Sequence, residues 1–273
     1  MHILDKPPAP ADERVPYGNG PYHFGDLRLP AQARPQELKS LVPIVVVVHG
    51  GFWRSRFDLE HISHACAAIT RLGFATWSLE YRRIGHEGGG WPGTFLDVAS
   101  GIDHLRDLAP RYNLDLERVI TIGHSAGGHL ALWLAARGRI PPWDPLHTPS
   151  PLPVRSAISL AGVVDLRMGW EMKLSNNVVE EFLGGTPRDV PERYATASPR
   201  EMLPIGVRQV LVHGTEDDSV PYEISRSYHD AAVAEGDSVE LVPLPGAEHF
   251  EVIDPWSAEW KKVEAALLDV TSR

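Results

Sequence analysis

Residues 44–48 read Ile-Val-Val-Val-Val, the stretch that most tightly constrains how this 273-residue chain can fold. Five consecutive β-branched side chains fit a pleated strand better than a helix. Side chains alternate across a strand, so a run that is apolar at every position needs cover on both faces. That requirement predicts a central strand of a parallel sheet with helices on either side. Shorter apolar runs at 74–79, 119–122 and 210–212 repeat the signal, and further strands are predicted at 157–160 and 239–244. Between them lie segments with helical spacing. Residues 59–72 place Ile62, Ala65, Cys66 and Ile69 on one face, and residues 95–108 group Val98, Ile102, Leu105 and Leu108. Residues 126–136 are nearly all small or apolar. Strands alternating with helices predict an α/β fold with a mainly parallel sheet.

No internal repeat or low-complexity linker divides the chain, so a single domain over 1–273 is expected. Residues 1–40 form an N-terminal arm rich in proline and glycine, whose alternating run 22–29 predicts an edge strand. The net charge of −10 and pI near 5.7 argue against nucleic acid as a partner, which requires basic patches. A single cysteine, Cys66, can form neither an internal disulfide nor a thiolate metal cluster. It lies on the apolar face of its predicted helix and reads as a small buried hydrophobe. No run approaches the roughly 18 apolar residues of a membrane span, so no membrane partner is expected. Residues 1–10 lack the apolar centre of a signal peptide, which makes the cytoplasm the default location. A homo-oligomer stays open.

Chemistry enters at Gly123-His124-Ser125-Ala126-Gly127, a G-x-S-x-G pattern that follows the strand at 119–122 and opens the helix at 126–136. A nucleophile elbow requires this strand–turn–helix setting. Glycines flank the serine because so sharp a turn leaves no room for side chains. Serine needs a base at neutral pH, and the base needs a carboxylate to orient it. In open α/β sheets both belong in loops after the carboxyl ends of strands. Two segments qualify: 213–221, with Glu216, Asp217 and Asp218, and 246–250, with His249. His249 is the one histidine in the last forty residues and is the natural base. The order serine, acid, histidine is that of α/β-hydrolases. After the strand at 44–48 stands His49-Gly50-Gly51-Phe52-Trp53, whose glycines allow backbone amides to approach a substrate oxygen. The N–H groups of Gly51 and Phe52, with that of Ala126, are the expected oxyanion donors.

These stretches, together with Tyr81-Arg82 and Glu248-His249-Phe250, resemble the α/β-hydrolase superfamily. More narrowly they resemble its esterase and lipase branch, related to hormone-sensitive lipase and to kynurenine formamidase. The formamidases are similar in having an aromatic residue and Trp after H-G-G, as Phe52 and Trp53 follow Gly51. The resemblance spans about residues 40–253. It implies an α/β-hydrolase fold with at most a short lid or pocket wall at about 165–205. It also implies nucleophile Ser125, acid Asp217, base His249, and oxyanion amides at Gly51, Phe52 and Ala126. The expected activity is hydrolysis of small carboxylic esters through an acyl-enzyme, with no metal and no cofactor. Arylformamidase is the near alternative, with a formamide substrate. A non-catalytic ligand-binding protein of the same fold is the alternative from another class.

Trp53, Trp91 and Trp170 are candidates for an aromatic pocket wall. Gly88 to Gly90 are candidates for the hinge of an entrance loop. Arg82 and Arg83 suit either an anionic substrate group or a structural pair with Asp97. His61 and His64 stand three apart on a helix, as a metal half-site would, yet no third ligand is visible from spacing.

Overall fold

The structure, a computed structural model, describes residues 3–31 and 41–271. The last nine residues of the expected N-terminal arm therefore lie outside the described residues. Among the described residues, eight strands form one sheet in the order β1-β2-β4-β3-β5-β6-β7-β8. They are β1 (Glu13–Pro16), β2 (Phe24–Arg28), β3 (Val42–Val48), β4 (Ala75–Leu79), β5 (Leu114–His124), β6 (Ser156–Leu160), β7 (Arg208–Gly214) and β8 (Val239–Leu244). β2 pairs antiparallel with both of its neighbours, β1 and β4, and all the remaining pairs are parallel. This is the α/β-hydrolase fold.

The alternation along β3 shows why the all-apolar run was needed. Ile44, Val46 and Val48 enter one core, while Val45 and Val47 enter a second on the opposite face. Helices α1 (Ser63–Arg71) and α9 (Trp260–Thr271) cover the second core through Ala65, Cys66, Ile69, Val263 and Leu267. The larger core is covered by α2 (Gly93–Asp103), α3 (Leu105–Tyr112), α4 (Ala126–Ala136) and α8 (Tyr222–Ala234). Each fully buried valine of β3 contributes about 2 kcal/mol of apolar transfer energy, so the central strand anchors both layers. Between β6 and β7 stand three short helices, α5 (Leu166–Glu171), α6 (Leu174–Leu183) and α7 (Pro191–Ala197). They occupy the segment expected as a lid or wall.

Three boundaries differ from expectation. The run at 22–29 forms β2, which is one strand in from the edge. Glu13–Pro16 pairs outside it, with Val15 opposite Gly25, a segment too short and polar to announce a strand. The helix expected over 95–108 is two helices meeting at His104. β5 begins at Leu114 rather than 119, because Leu114 and Asp115 pair with Val42 and Pro43 before an irregularity resets the register. Among the described residues no helix is long and apolar enough to cross a membrane.

Candidate active site

The turn from β5 to α4 carries Ser125 at φ 57° and ψ −121°. Positive φ is unfavourable for a residue with a side chain and is typical of functional turns. Its neighbours hold it there: Ser125 N donates to Leu160 O at 2.8 Å, and Val163 N donates to Ser125 O at 3.3 Å. The flanking glycines are required by close approach. A Cβ at Gly123 would stand 2.0 Å from Gly127 O, and one at Gly127 would stand 2.1 Å from Val48 O. No side chain fits at either position, as the sequence pattern anticipated.

His249 follows β8, and its Nδ1 lies 2.6 Å from Asp217 Oδ2. Of the three carboxylates after β7, Asp217 is the buried one that meets the imidazole; Glu216 and Asp218 are exposed. Asp217 is held on every side. His213 Nε2 lies 3.2 Å from Oδ2, while Ser219 N and Val220 N donate to Oδ1 at 2.9 and 2.8 Å. Burial alone would raise its pKa, but hydrogen bonds from His213 and His249 and the adjacent imidazole charge outweigh it. The carboxyl is held well below the usual range. His213 takes one tautomer: Ser225 Oγ donates to Nδ1 at 2.7 Å, and Nε2 donates to Val220 O at 2.8 Å.

Ser125 and His249 open on one cavity of about 310 Å³. It is lined also by Gly51, Phe52, Arg54, Arg56, Phe57, His61, Ser175, Ser219 and Phe250. The loop after β3 supplies one side. Gly51, Phe52 and Trp53 all have positive φ, at 111°, 51° and 54°. This strain is fixed by Arg54 N to Gly51 O at 3.0 Å and by Ser55 N to Ile84 O at 3.0 Å. Behind the loop, buried Glu80 pairs with Arg83 at 2.9 Å and lies 3.3 Å from His49 Nε2. Its other oxygen accepts from Leu59 N at 3.3 Å, which ties the loop's two ends together. Ala126, the third expected donor, is buried at the first position of α4.

The tryptophans do not form the pocket wall. Trp53 is fully buried, stacked on Phe182 at 4.4 Å and edge-on to His129. Trp91 faces the Arg193 guanidinium at 4.1 Å, and Trp170 Nε1 donates to Glu180 at 3.1 Å. Indoles are large enough to be drawn into the core and the flanking helices, leaving Phe52, Phe57 and Phe250 at the cavity. The aromatic pair behind the formamidase resemblance is thus split, Phe52 at the cavity and Trp53 in the core. Nor do Gly88 to Gly90 form an open hinge, for a Cβ at Gly89 would stand 1.9 Å from Arg83 O. Arg82 pairs with Asp97 through two bonds of 2.8 and 2.7 Å.

Two histidines at the site meet in a way that no sequence spacing discloses. His61 Nε2 lies 2.8 Å from His124 Nδ1, and His124 Nε2 lies 2.9 Å from His249 O. A carbonyl accepts, so His124 donates from Nε2, and its Nδ1 must accept from His61. Burial, reinforced by His249 and His61 nearby, pushes the His124 pKa well below its usual value. His124 is therefore a neutral strut fixing the main chain at His249. The His61–His64 spacing resembled a metal half-site, but His61 turns inward to His124 while His64 packs edge-on to Trp256 at 5.2 Å. His213 could have been suspected from its place at the head of the acid loop.

Ser125, strained on a strand–helix elbow, shares its cavity with a histidine–carboxylate pair from later strand ends, an arrangement like the nucleophile elbow of α/β-hydrolases. The chain belongs to the BD-FAE family, which matches residues 32–231. It is similar to esterase LipC of Mycobacterium tuberculosis, 29% identical over 262 residues, covering 88% of this chain and 60% of that protein. It is also similar to a probable isoprenylcysteine alpha-carbonyl methylesterase, ICME, of Oryza sativa subsp. japonica, at 25% identity, covering 87% and 58% of the two chains. The chain thus spans about 60% of the length of these curated relatives. Among solved structures, a truncated carbohydrate esterase from gut microbiota superposes with a TM-score of 0.77 at 21% identity, covering 97% of this chain and all of that one. Thermogutta terrifontis esterase 2 with propionate bound gives a TM-score of 0.76 at 25% identity, over 96% and 94% of the two chains.

Proposed function

We propose that the chain is a serine hydrolase that cleaves small carboxylic esters. The observation that carries this reading is Ser125, strained on its elbow, sharing one cavity with a histidine whose far nitrogen lies 2.6 Å from a buried carboxylate. In the proposed reaction His249 Nε2 takes the hydroxyl proton as Ser125 Oγ bonds to the ester carbonyl carbon. The N–H groups of Gly51, Phe52 and Ala126 stabilise the resulting oxyanion. The C–O bond to the alcohol then breaks, and the alcohol leaves with the proton from His249. An acyl group now sits on Ser125. Water gives a proton to His249 as it adds to that acyl carbon, and collapse returns the proton to Oγ and releases the acid.

Asp217 keeps the Nδ1 proton in place and stabilises the imidazolium. Its depressed pKa keeps it anionic throughout the neutral range, as the role demands. A cavity of about 310 Å³ with phenyl rings on its wall suits a short acyl chain and a modest alcohol. The helices at 166–197 serve as the short pocket wall, since Ser175 borders the cavity and Arg54 donates to Ser175 O at 3.0 Å. Relatives named as esterases, and a relative holding propionate, support the same substrate class.

Labelling with a fluorophosphonate tests the reading. Covalent mass addition mapped to the peptide carrying Ser125 is expected at neutral pH. An unlabelled, folded protein would instead favour a ligand-binding role for the fold.

A further inference from the structure

The cavity wall has a charge opposite to that of the chain. Two guanidiniums, Arg54 and Arg56, line it with no carboxylate side chain among the described lining residues, although the chain carries a net −10. Arg54 is already neutralised, by Glu181 at 2.9 Å and Ser175 O at 3.0 Å. Arg56 is not. Its guanidinium lies 5.4 Å from the centre of the Phe57 ring, and among the described residues it makes no ion pair. Several other surface arginines of this acidic chain find carboxylates, as Arg14 does with Asp26, Arg111 with Glu13, Arg118 with Asp115 and Arg226 with Glu223, so what sets Arg56 apart is its place on the cavity wall. The acids nearest in sequence, Asp58 and Glu60, border a separate hollow that Arg56 also touches. The Asp58 carboxylate there accepts from Glu60 N at 2.9 Å instead.

Position makes this unpaired charge useful. Arg56 sits on the loop that carries Gly51 and Phe52, and that loop is pinned on its near side by the Arg54 and Ser55 backbone bonds. Its neighbour Phe57 packs directly over Gly51, where an added Cβ would come within 2.8 Å of the phenyl side chain. A guanidinium is a planar fork that accommodates a carboxylate through two hydrogen bonds, and the adjoining phenyl wall strengthens such a pair by excluding water.

We propose that Arg56 selects ester substrates that carry a second, ionised carboxylate, a specificity that rests on the hydrolase reading above. The carboxylate pairs with Arg56 while the ester carbonyl meets Ser125. In a chain whose overall field repels anions, this local cation offsets the repulsion at the point of binding.

Two matched pairs of esters test it and separate an anion in the acyl part from one in the alcohol part. Monoethyl glutarate is compared with ethyl pentanoate, and 4-acetoxybenzoate with 4-acetoxybenzamide. For each pair, kcat/KM of the charged ester is divided by that of the neutral one, in wild type and in Arg56→Gln. The ratio for at least one pair is expected to fall by roughly fivefold or more in the variant, chiefly through KM. Arg56→Glu should lower the same ratio further. If both ratios change by less than that in Arg56→Gln while the neutral esters are turned over, anion selection by Arg56 is overturned and the hydrolase reading stands. Wild type that turns over none of the four esters overturns both.

Discussion

His129 lies one turn along α4 from Ser125 and couples the elbow helix to the pocket wall. Its Nε2 donates to Ala197 O at 2.8 Å, at the end of α7. Its Nδ1 is buried without a partner, and the rings of Trp53, Phe95 and Phe182 surround it. Burial disfavours the imidazolium and pushes the pKa down to about 4. In the unfolded chain the same group titrates near 6.5. Below that pH the unfolded state binds a proton that the folded state refuses, so stability falls as pH drops from about 6.5 towards 4. The full gap corresponds to about 3 kcal/mol, of which about 2 kcal/mol is already lost at about pH 5. His124, held neutral by the same physics, adds a loss of the same sign. Glutamine can keep the donor to Ala197 O without titrating. His129→Gln should therefore be somewhat less stable than wild type near pH 8 but should lose about 2 kcal/mol less by about pH 5. Urea unfolding at a series of pH values reads this directly. Parallel stability curves for the two proteins between pH 8 and 5 would refute the claim that His129 is held neutral by burial.

Two further outcomes follow from the site geometry. Asp217→Asn keeps the shape but not the charge, and should lower kcat for a short ester by roughly three to four orders of magnitude while circular dichroism stays native; a loss under about tenfold would remove Asp217 from the proposed triad. Gly127→Ala forces a methyl to within 2.1 Å of the Val48 carbonyl, so it should destabilise the fold by more than about 3 kcal/mol, and a thermal midpoint near that of wild type would show that the elbow can move.

The sheet was legible because its central strands are buried on both faces. Ile44 to Val48 cannot be satisfied any other way, and the two cores divide those five residues by strict alternation. β1 was not legible: Glu13 to Pro16 carries a single buried residue, Val15, and exists as a strand because β2 offers it an edge. At the site, strand order locates the loops that carry Ser125, the three carboxylates 216–218 and His249, whereas the choice of Asp217 among those carboxylates rests on the family resemblance. The cavity wall could not, since its lining depends on which aromatic side chains the core draws in. Trp53 went inward and Phe52 did not, although the two are adjacent and equally apolar in sequence. His61 and His124 are 63 residues apart, a separation at which no local pattern betrays a hydrogen bond.

The hydrolase function proposed above requires Ser125 to be an activated nucleophile. Hydrolysis of p-nitrophenyl acetate and butyrate, followed by nitrophenolate release at neutral pH, compares wild type with Ser125→Ala. Steady turnover by wild type is expected, with a loss of roughly three orders of magnitude or more in the variant and an unaltered unfolding transition. Equal turnover by a well-folded Ser125→Ala protein would contradict it.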